Sequence, residues 1–356
     1  MSHKSAKTAR ALLPAIIALA NEDKAPFAPG NGDIKPGEIY ALANDSRFAE
    51  AFFSQPLTTF ATGFKDPSDI GATLEFFAPA VPVPSRLFEW KKWSNAEEFY
   101  SESDDIRAIG GDFKRVEYTG VDQTGKTLNK GLVVRVDLDQ VVQTPGWENR
   151  HVARLLRRLL RNELRRALAL LSAAATNTAK TWDTTAGKDP DQDVLTELAT
   201  SMDATGIFPT RIGYGHNAWN KRKMSHRAQN TPGGYASAAY TADDLAAFLE
   251  VDQVMVSKER YQSSAAAKTQ IVNNLVLMFV ALGGGDMDDP SNIKRFVSPP
   301  PNLYTGGDGK VAAPAGGLNV NVYVNQVSAK LVDISVEHYS NVIMTSTAGV
   351  RQFTVS

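Results

Sequence analysis

The sequence predicts a mixed α+β protein organised around one unusually long helix. Three observations support this class. A helical pattern runs without interruption from Trp147 to Ala175, a length of about 40 Å at 1.5 Å per residue. Apolar residues alternate at a two-residue period near residues 115–138 and again near residues 320–355, as in β-strands. Between them, short helical and strand patterns alternate, which is typical of an α/β lobe.

Composition limits the classes of protein to consider. With 356 residues and 43% apolar content, the chain can bury the cores of two or more lobes. The 38 Lys and Arg residues nearly balance the 39 Asp and Glu residues, which disfavours a strongly basic nucleic-acid binder. The absence of cysteine excludes disulfides, thiolate metal sites and cysteine nucleophiles.

The long helix has one apolar face and one cationic face. At about 100° per residue, its leucines lie opposite a stripe of arginines, and only Glu163 interrupts the leucine face. One glutamate cannot compensate seven arginines through pairs within the helix. The simplest interpretation is a surface helix packed on a core. Otherwise the stripe is neutralised by carboxylates elsewhere in the chain, a neighbouring subunit, a membrane surface or nucleic-acid phosphates.

The N-terminal region predicts an extended arm. Lys4, Lys7 and Arg10 precede the apolar run Ala11 to Ala20, an arrangement similar to a secretory signal, but Pro14 interrupts the run. The alternative is an amphipathic arm that docks on another subunit. Prolines and glycines then favour irregular chain up to Gly37. A short helix is expected from Ile39 to Gln55.

A long hairpin is predicted in the first half of the chain. Arg115–Val121 and Leu132–Leu138 alternate as strands, and Asp122–Lys126 separates them as a turn. Its apolar content is too small to close a core, so we expect it to project and to pack on a partner. The alternative is the edge of a sheet in an ordinary domain.

The α/β region begins with a helix over Val194–Met202 that ends near Gly206, followed by a strand over Arg211–Gly215 and a helix over His216–Ala228. Thr241 is expected to cap a further helix. Strands are predicted over Val254–Val256 and Val276–Val280, and later over Val320–Val324, Leu331–Val336, Val342–Met344 and Phe353–Val355. The later strands are expected to pack against the leucine face of the long helix.

Candidate catalytic and ligand sites are weak. Gly213 and Gly215 lie between a strand and a helix, but the third glycine of a dinucleotide fingerprint is missing. Asp286, Asp288 and Asp289 are able to ligate a hard cation, although their loop composition favours a polar turn. The five histidines lack metal-ligand spacing. We therefore predict no enzyme activity, no metal and no cofactor.

The order of these parts resembles the major capsid proteins of tailed phages, which have the Hong Kong 97 fold. Ala78–Pro84 is similar to the entry of the extended E-loop, and Glu148–Ala175 to the spine helix. Arg211–Trp219 is similar to the first strand and helix of the axial domain, and Leu245–Ser257 and Val336–Gly349 also look familial. The resemblance implies five segments: an N-terminal arm (1–77), the E-loop with flanking strands (78–138), a peripheral domain with the spine helix (139–190), an α/β axial domain (191–317) and closing peripheral strands (318–356).

The resemblance also implies a structural role. Hexamers and pentamers would close into an icosahedral shell around double-stranded DNA, assembled in the host cytoplasm and found in the virion capsid. The partners would be further copies of the chain, a portal, a separate scaffolding protein if one is needed, and DNA held by non-specific contact, with no membrane. The alternatives are an encapsulin-like shell around protein cargo and an α/β enzyme with a basic ligand-binding helix.

The same resemblance suggests where subunits meet. In the family, the E-loop lies over the peripheral domain of an adjacent subunit. The predicted contacts pair arginines of the long helix with carboxylates of the neighbouring hairpin, because guanidinium and carboxylate groups form fixed bidentate pairs. The candidates are Arg154, Arg158, Arg161 and Arg165 on one side and Glu97, Glu98, Glu102, Asp104 and Asp105 on the other.

Overall fold

The computed structural model of the chain describes residues 54–64, 69–93, 106–107, 109, 111–112, 120–141, 145–185, 187–262, 268–282, 287–299 and 320–356. All of them belong to one compact unit, Ser54–Ser356. Most of the predicted arm, the predicted helix Ile39–Gln55 up to residue 53, and Asp286 lie outside the described residues.

The first sheet is built around one long strand. Its strands are β1 (Ala80–Pro82), β4 (Leu128–Asp137), β11 (Ile293–Val297), β12 (Val320–Gln326) and β13 (Leu331–Met344). Strand β13 pairs with β4 along one edge and with β12 and β11 along the other, all antiparallel, and β1 pairs in parallel with β11. The predicted strands Leu331–Val336 and Val342–Met344 are therefore one continuous element.

The second sheet has mixed strand directions. Its order is β5 (Thr176–Lys180), β14 (Arg351–Val355), β10 (Leu275–Phe279), β6 (Arg211–Gly215) and β7 (Gln253–Ser257). The prediction that the last strand packs on the leucine face is wrong. Phe353 and Val355 of β14 are buried in the core of this second sheet instead. The backbone partners of β10 and β5 decide the place of β14, and both lie far from it in sequence.

The hairpin has different strands from those predicted. It pairs β2 (Leu87–Trp93) with β3 (Gly120–Lys126), and the predicted turn Asp122–Lys126 is part of β3. The predicted pairing with Leu132–Leu138 is wrong, because only Thr127 separates β3 from β4 and one residue cannot reverse the chain. The Thr127 hydroxyl is buried 2.7 Å from that of Ser298, and the strand continues into the first sheet. A two-residue pair, β8 (Arg260–Tyr261) and β9 (Thr269–Gln270), completes the described strands.

The long helix agrees with its prediction to within one residue. It begins at Trp147 and ends at Ala174, and its leucine face is buried. The other predicted helices of the α/β region form as expected, and Thr241 makes a capping box with Asp244. The described helices are α1 (Gln55–Thr62), α2 (Ile70–Phe77), α3 (Leu138–Val141), α4 (Trp147–Ala174), α5 (Pro190–Thr205), α6 (His216–Ala228), α7 (Pro232–Ala239) and α8 (Ala242–Phe248).

Two main cores follow from this arrangement. The leucines of α4 pack against β12, β13, α1 and α2, and this core forms the peripheral lobe. Around the second sheet, residues of α5, α6 and α8 enclose the α/β lobe, in which Ile212, Tyr214 and Val276 are fully buried. A small third core holds the hairpin, because Phe88 and Trp90 of β2 pack on Phe296 of β11.

Candidate inter-subunit surface on the long helix

The chain itself neutralises half of the four candidate arginines on α4. The guanidinium Nε of Arg161 lies 3.5 Å from Glu259 Oε2, and the guanidinium of Arg165 lies 3.9 Å from the centre of the Tyr261 ring. Glu259 lies between β7 and β8, and Tyr261 belongs to β8. In the second half of the helix, these two arginines therefore face a carboxylate and an aromatic ring of their own chain.

Arg154 and Arg158 are different. Both side chains are exposed, and within the described residues neither has a hydrogen bond or an ion pair. They lie four residues apart, hence on the same side of the helix. Partial burial lowers the pKa of His151, and the nearby charges of Arg154 and Arg150 lower it further, as expected for a cationic surface. In the first half of α4, Arg154 and Arg158 therefore present guanidinium groups that no carboxylate among the described residues pairs with.

The proposed acidic partners lie outside the described residues. Glu97, Glu98, Glu102, Asp104 and Asp105 all fall between residues 94 and 105, beyond the end of β2. Their pairing with the arginines stays a prediction.

The base of the hairpin is anchored, while part of its surface is apolar and exposed. The backbone N–H of Lys91 donates a hydrogen bond of 2.9 Å to Asp288 Oδ1. By contrast, the Leu87 side chain is 69% exposed and that of Val121 is 60% exposed. These two side chains are available to another chain that covers the hairpin.

A buried carboxylate beneath the sheet was not predicted as a site. Glu163 is fully buried, and its only sequence signal was its position in the leucine face. Lys130 Nζ of β4 donates hydrogen bonds of 2.9 and 3.0 Å to its two oxygens, and the Ser340 hydroxyl of β13 lies 3.3 Å away. Arg166 donates a further hydrogen bond from the next turn of α4. His338 Nε2 stands 3.7 Å from the carboxylate, too far for a hydrogen bond.

These neighbours set the protonation state of the Glu163 cluster, by which we mean Glu163, Lys130, Arg166, His338 and Ser340. Burial alone would raise the pKa of Glu163, but the hydrogen-bonded Lys130 ammonium opposes burial, and the pKa is lowered overall to about 2. Burial lowers the pKa of His338, and the charges of Lys130 and Arg295 add to that shift. The carboxylate is therefore charged and the imidazole neutral near pH 7.

The α/β lobe contains a second buried carboxylate. Arg222 of α6 donates two hydrogen bonds to Asp191 of α5, at 2.6 and 2.7 Å, and a third of 3.1 Å to the Ser237 carbonyl. His226 Nε2 lies 3.2 Å from Asp191 Oδ2. Burial would raise the pKa of Asp191, but His226 and Arg222 lower it overall. This group joins three helices, α5, α6 and α7.

The remaining sequence candidates have structural roles in the described residues. A Cβ on Gly215 would lie 1.8 Å from the Asn273 carbonyl oxygen, so close backbone packing requires a glycine at this position. Asp289 pairs with the buried Lys294 at 3.0 Å. Within the described ranges, no three acidic or histidine residues are grouped to hold a metal ion. No described helix combines the length and the apolar character needed to span a membrane.

The described part of the chain has the mixed α+β Hong Kong 97 fold that the sequence predicted. A phage-related protein from Bordetella bronchiseptica RB50 shares it with a TM-score of 0.59 and 18% identity, over 85% of this chain and 96% of that one. At this identity the likeness shows a common fold.

Two solved capsids are more distant. The mature capsid of bacteriophage PhiM1 has a TM-score of 0.46 and 8% identity, over 83% of this chain and 89% of that one. The capsid of cyanophage P-SCSP1u has a TM-score of 0.45 and 12% identity, over 79% of this chain and 87% of that one. Likeness this weak supports no argument by itself. No protein-family model matches the sequence, and no curated protein is similar to it at the level of sequence.

Proposed function

We propose that this chain is a major capsid protein that assembles into a closed shell. The observation that carries the proposal is the fold, in which a hairpin with exposed Leu87 and Val121 is attached to a lobe built on one long helix. Another copy that covered this hairpin would bury those apolar side chains. The phage-related protein from Bordetella with the same fold supports the same class.

The finer features of the shell are part of the proposal. Hexamers and pentamers form an icosahedral particle that encloses double-stranded DNA, with a portal and, where one is needed, a scaffolding protein as partners. The chain acts without enzymatic turnover and is located in the virion. The division into an arm (1–77), E-loop (78–138), peripheral segments (139–190 and 318–356) and axial domain (191–317) describes how the parts would serve this assembly.

Arg154 and Arg158 are the arginines that we assign to the contact between subunits. They are the candidates without a partner of their own chain in the described residues, whereas Arg161 and Arg165 contact Glu259 and Tyr261. Their acceptors are the carboxylates of a neighbouring hairpin, Glu97, Glu98, Glu102, Asp104 and Asp105. Fixed guanidinium and carboxylate pairs suit a constant subunit register better than mobile phosphates do.

Charge reversal tests this assignment. The double variant Arg154→Glu/Arg158→Glu should fold, because both side chains are exposed, yet fail to form particles even when no DNA is present. Arg227→Glu, an exposed arginine at the end of α6, is the matched control and should assemble normally. Assembly is read by sedimentation and negative-stain microscopy. Normal empty shells from the double variant would show that these arginines do not join subunits.

The particle contents test the broader proposal. Purified particles should contain double-stranded DNA when packaging proteins are present. Protein cargo without nucleic acid would indicate an encapsulin-like shell instead. A stable monomer at high concentration that turns over a small molecule would contradict both and favour the α/β enzyme.

A further inference from the structure

Strand β4 is held to the protein mainly by its ten-residue ladder with β13. In the part of the chain that the structure describes, β4 pairs with β13 alone, so its other edge has no strand beside it. Of its apolar residues facing α4, only Val136 is fully buried, while Leu132 and Val134 are partly buried. An edge strand with little buried apolar surface depends strongly on its polar contacts.

The main polar contact between β4 and the long helix is the ion pair of Lys130 with Glu163. Lys130 lies near the start of β4, opposite His338 of β13 in the sheet register. Its ammonium therefore joins β4, α4 and β13 at one point, together with the hydroxyl of Ser340. Position 130 is also where the chain enters the sheet from the hairpin strand β3.

The charges around Glu163 are unbalanced. The cations that face it are Lys130 on β4, Arg166 on α4 and Arg295 on β11, and Arg295 has its own ion pair with Glu75 of α2 at 2.8 Å. Protonation of His338 would add another cation beside them. Protonation of Glu163 would remove the one anion that holds Lys130. Acid therefore weakens the contact through either group.

Water reaches the contact from one side. An open groove of about 720 Å³ lies beside it and is lined by Arg86, Lys130 and Arg166, with Leu128 and Leu170. Arg166 is half exposed in this groove, and Lys130 is 10% exposed. Because Lys130 borders both the groove and Glu163, a proton and its counter-ion can enter without unfolding of the core.

We propose that the Glu163 cluster is an acid-sensitive lock that holds β4, the strand at the base of the hairpin, between the long helix and β13. Near neutral pH the ion pair is complete and β4 is fixed. On acidification the lock loosens and β4 is released while the rest of the protein stays folded. The lock does not depend on shell formation, because every group in it belongs to one chain.

Amide hydrogen exchange of the full-length protein tests the lock. The quantity to measure is the protection of β4 peptides divided by that of β10, a buried central strand, after correction for the intrinsic effect of pH. In the wild-type protein this ratio should fall by about tenfold between pH 7.5 and pH 5. His338→Gln removes the titrating imidazole and should abolish most of that fall. A ratio that is constant with pH, or an unchanged pH profile in His338→Gln, would overturn the proposal.

A double-mutant cycle tests the ion pair itself at pH 7.5. Glu163→Gln and Lys130→Met should each reduce β4 protection, and the double variant should lose less than the sum, since no unpaired charge remains buried. Additive losses would show that the two residues do not act together. If Glu163→Gln does not fold, the pH dependence of β4 protection in His338→Gln tests the proposal by itself.

Asp333→Asn is the matched control. Arg135 and Asp333 pair at 2.8 Å across the same two strands, but on the opposite, exposed face of the sheet. Arg135 lowers the pKa of Asp333, so this carboxylate stays charged over the same pH range. The control should keep the wild-type pH profile of β4. Loss of that profile in Asp333→Asn would mean that any polar change on these strands has the effect, and the lock would be refuted.

Discussion

Each lobe buries a carboxylate that is surrounded by basic side chains, Glu163 in one and Asp191 in the other, and the two carboxylates are held differently. Asp191 accepts two hydrogen bonds from the planar guanidinium of Arg222, and both residues are almost completely buried. Glu163 accepts from the ammonium of Lys130, which borders an open groove, and also from Arg166 and Ser340. Arg222 joins helices of one rigid lobe, whereas Lys130 joins an edge strand to a helix.

The two cations fix the geometry of their carboxylates to different degrees. A guanidinium meets a carboxylate along two parallel bonds and fixes both distance and angle, whereas an ammonium on a flexible stem fixes only distance. The Asp191 pair also excludes water, so it has no route for gradual weakening. We therefore expect the α/β lobe to respond to damage by unfolding and the peripheral lobe to respond by local release of β4.

The largest effect is expected for Asp191→Asn. Loss of this carboxylate leaves Arg222 buried without its anion, which costs about 3–5 kcal/mol of unfolding free energy. Chemical denaturation followed by tryptophan fluorescence would measure it, because Trp182 and Trp219 lie in the core of this lobe. Asp203→Asn, an exposed carboxylate on the same helix α5, is the control and should behave as wild type. A small loss in Asp191→Asn would remove the contrast between the lobes.

A smaller loss is expected for Lys130→Met. Arg166 and Ser340 still donate to Glu163, so the cost should be about 2–3 kcal/mol of unfolding free energy. The pKa of Glu163 should rise from about 2 in this variant, because the attraction of the ammonium is lost. Carbon-detected NMR titration of the glutamate carboxyls would follow it. A loss as large as that of Asp191→Asn would show that Lys130 is as rigid a partner as Arg222.

The next largest effect is expected for the pH dependence of the unfolding free energy, which should differ between the two lobes. His338 has a lowered pKa in the folded state, so the unfolded chain takes up a proton first as pH falls below about 6.5. Stability is thus complete above that value and falls by about 1 kcal/mol towards pH 5. The lowered pKa values of Glu163 and Asp191 act only in stronger acid, below the ordinary carboxyl range near pH 4. Denaturation of His338→Gln at both pH values should lack the first fall, and its persistence would point to another group.

The smallest effect is expected for Arg135→Gln on the outer face of β4. Its ion pair with Asp333 is well formed, but the Arg135 side chain is 58% exposed and water screens the attraction. The denaturation midpoint should not change measurably at physiological salt. A clear shift would show that exposed pairs also hold β4, and the buried lysine would lose its special role.

Much of the fold was predictable where the signal is local. The long helix, strand β6 and helix α6 formed within a residue of their predicted bounds, because leucine spacing, a glycine boundary and a polar helical pattern mark them directly. The capping box at Thr241 likewise depends only on residues 241–244. Local spacing alone selects these elements, whatever they later pack against.

The candidate surface was predictable only in part. The arginine stripe is visible in the sequence, but not that Glu259 and Tyr261 approach its second half, since these residues lie about a hundred positions further along the chain. Glu163 stood out as the one acidic residue in the leucine face. No local sequence pattern identifies its partners on β4 and β13.

The sequence by itself therefore determined the bounds of the long helix, of β6 and of α6, which face of the long helix is apolar, and that Glu163 interrupts this face. Periodicity and capping depend on residues within a turn or two of each other. Only the tertiary structure decided that β4 pairs with β13 and not with β3, that β14 joins the second sheet, and that Lys130 neutralises Glu163. Strand pairing and buried ion pairs are choices among distant segments of similar local preference, and the packing of the whole core selects between them.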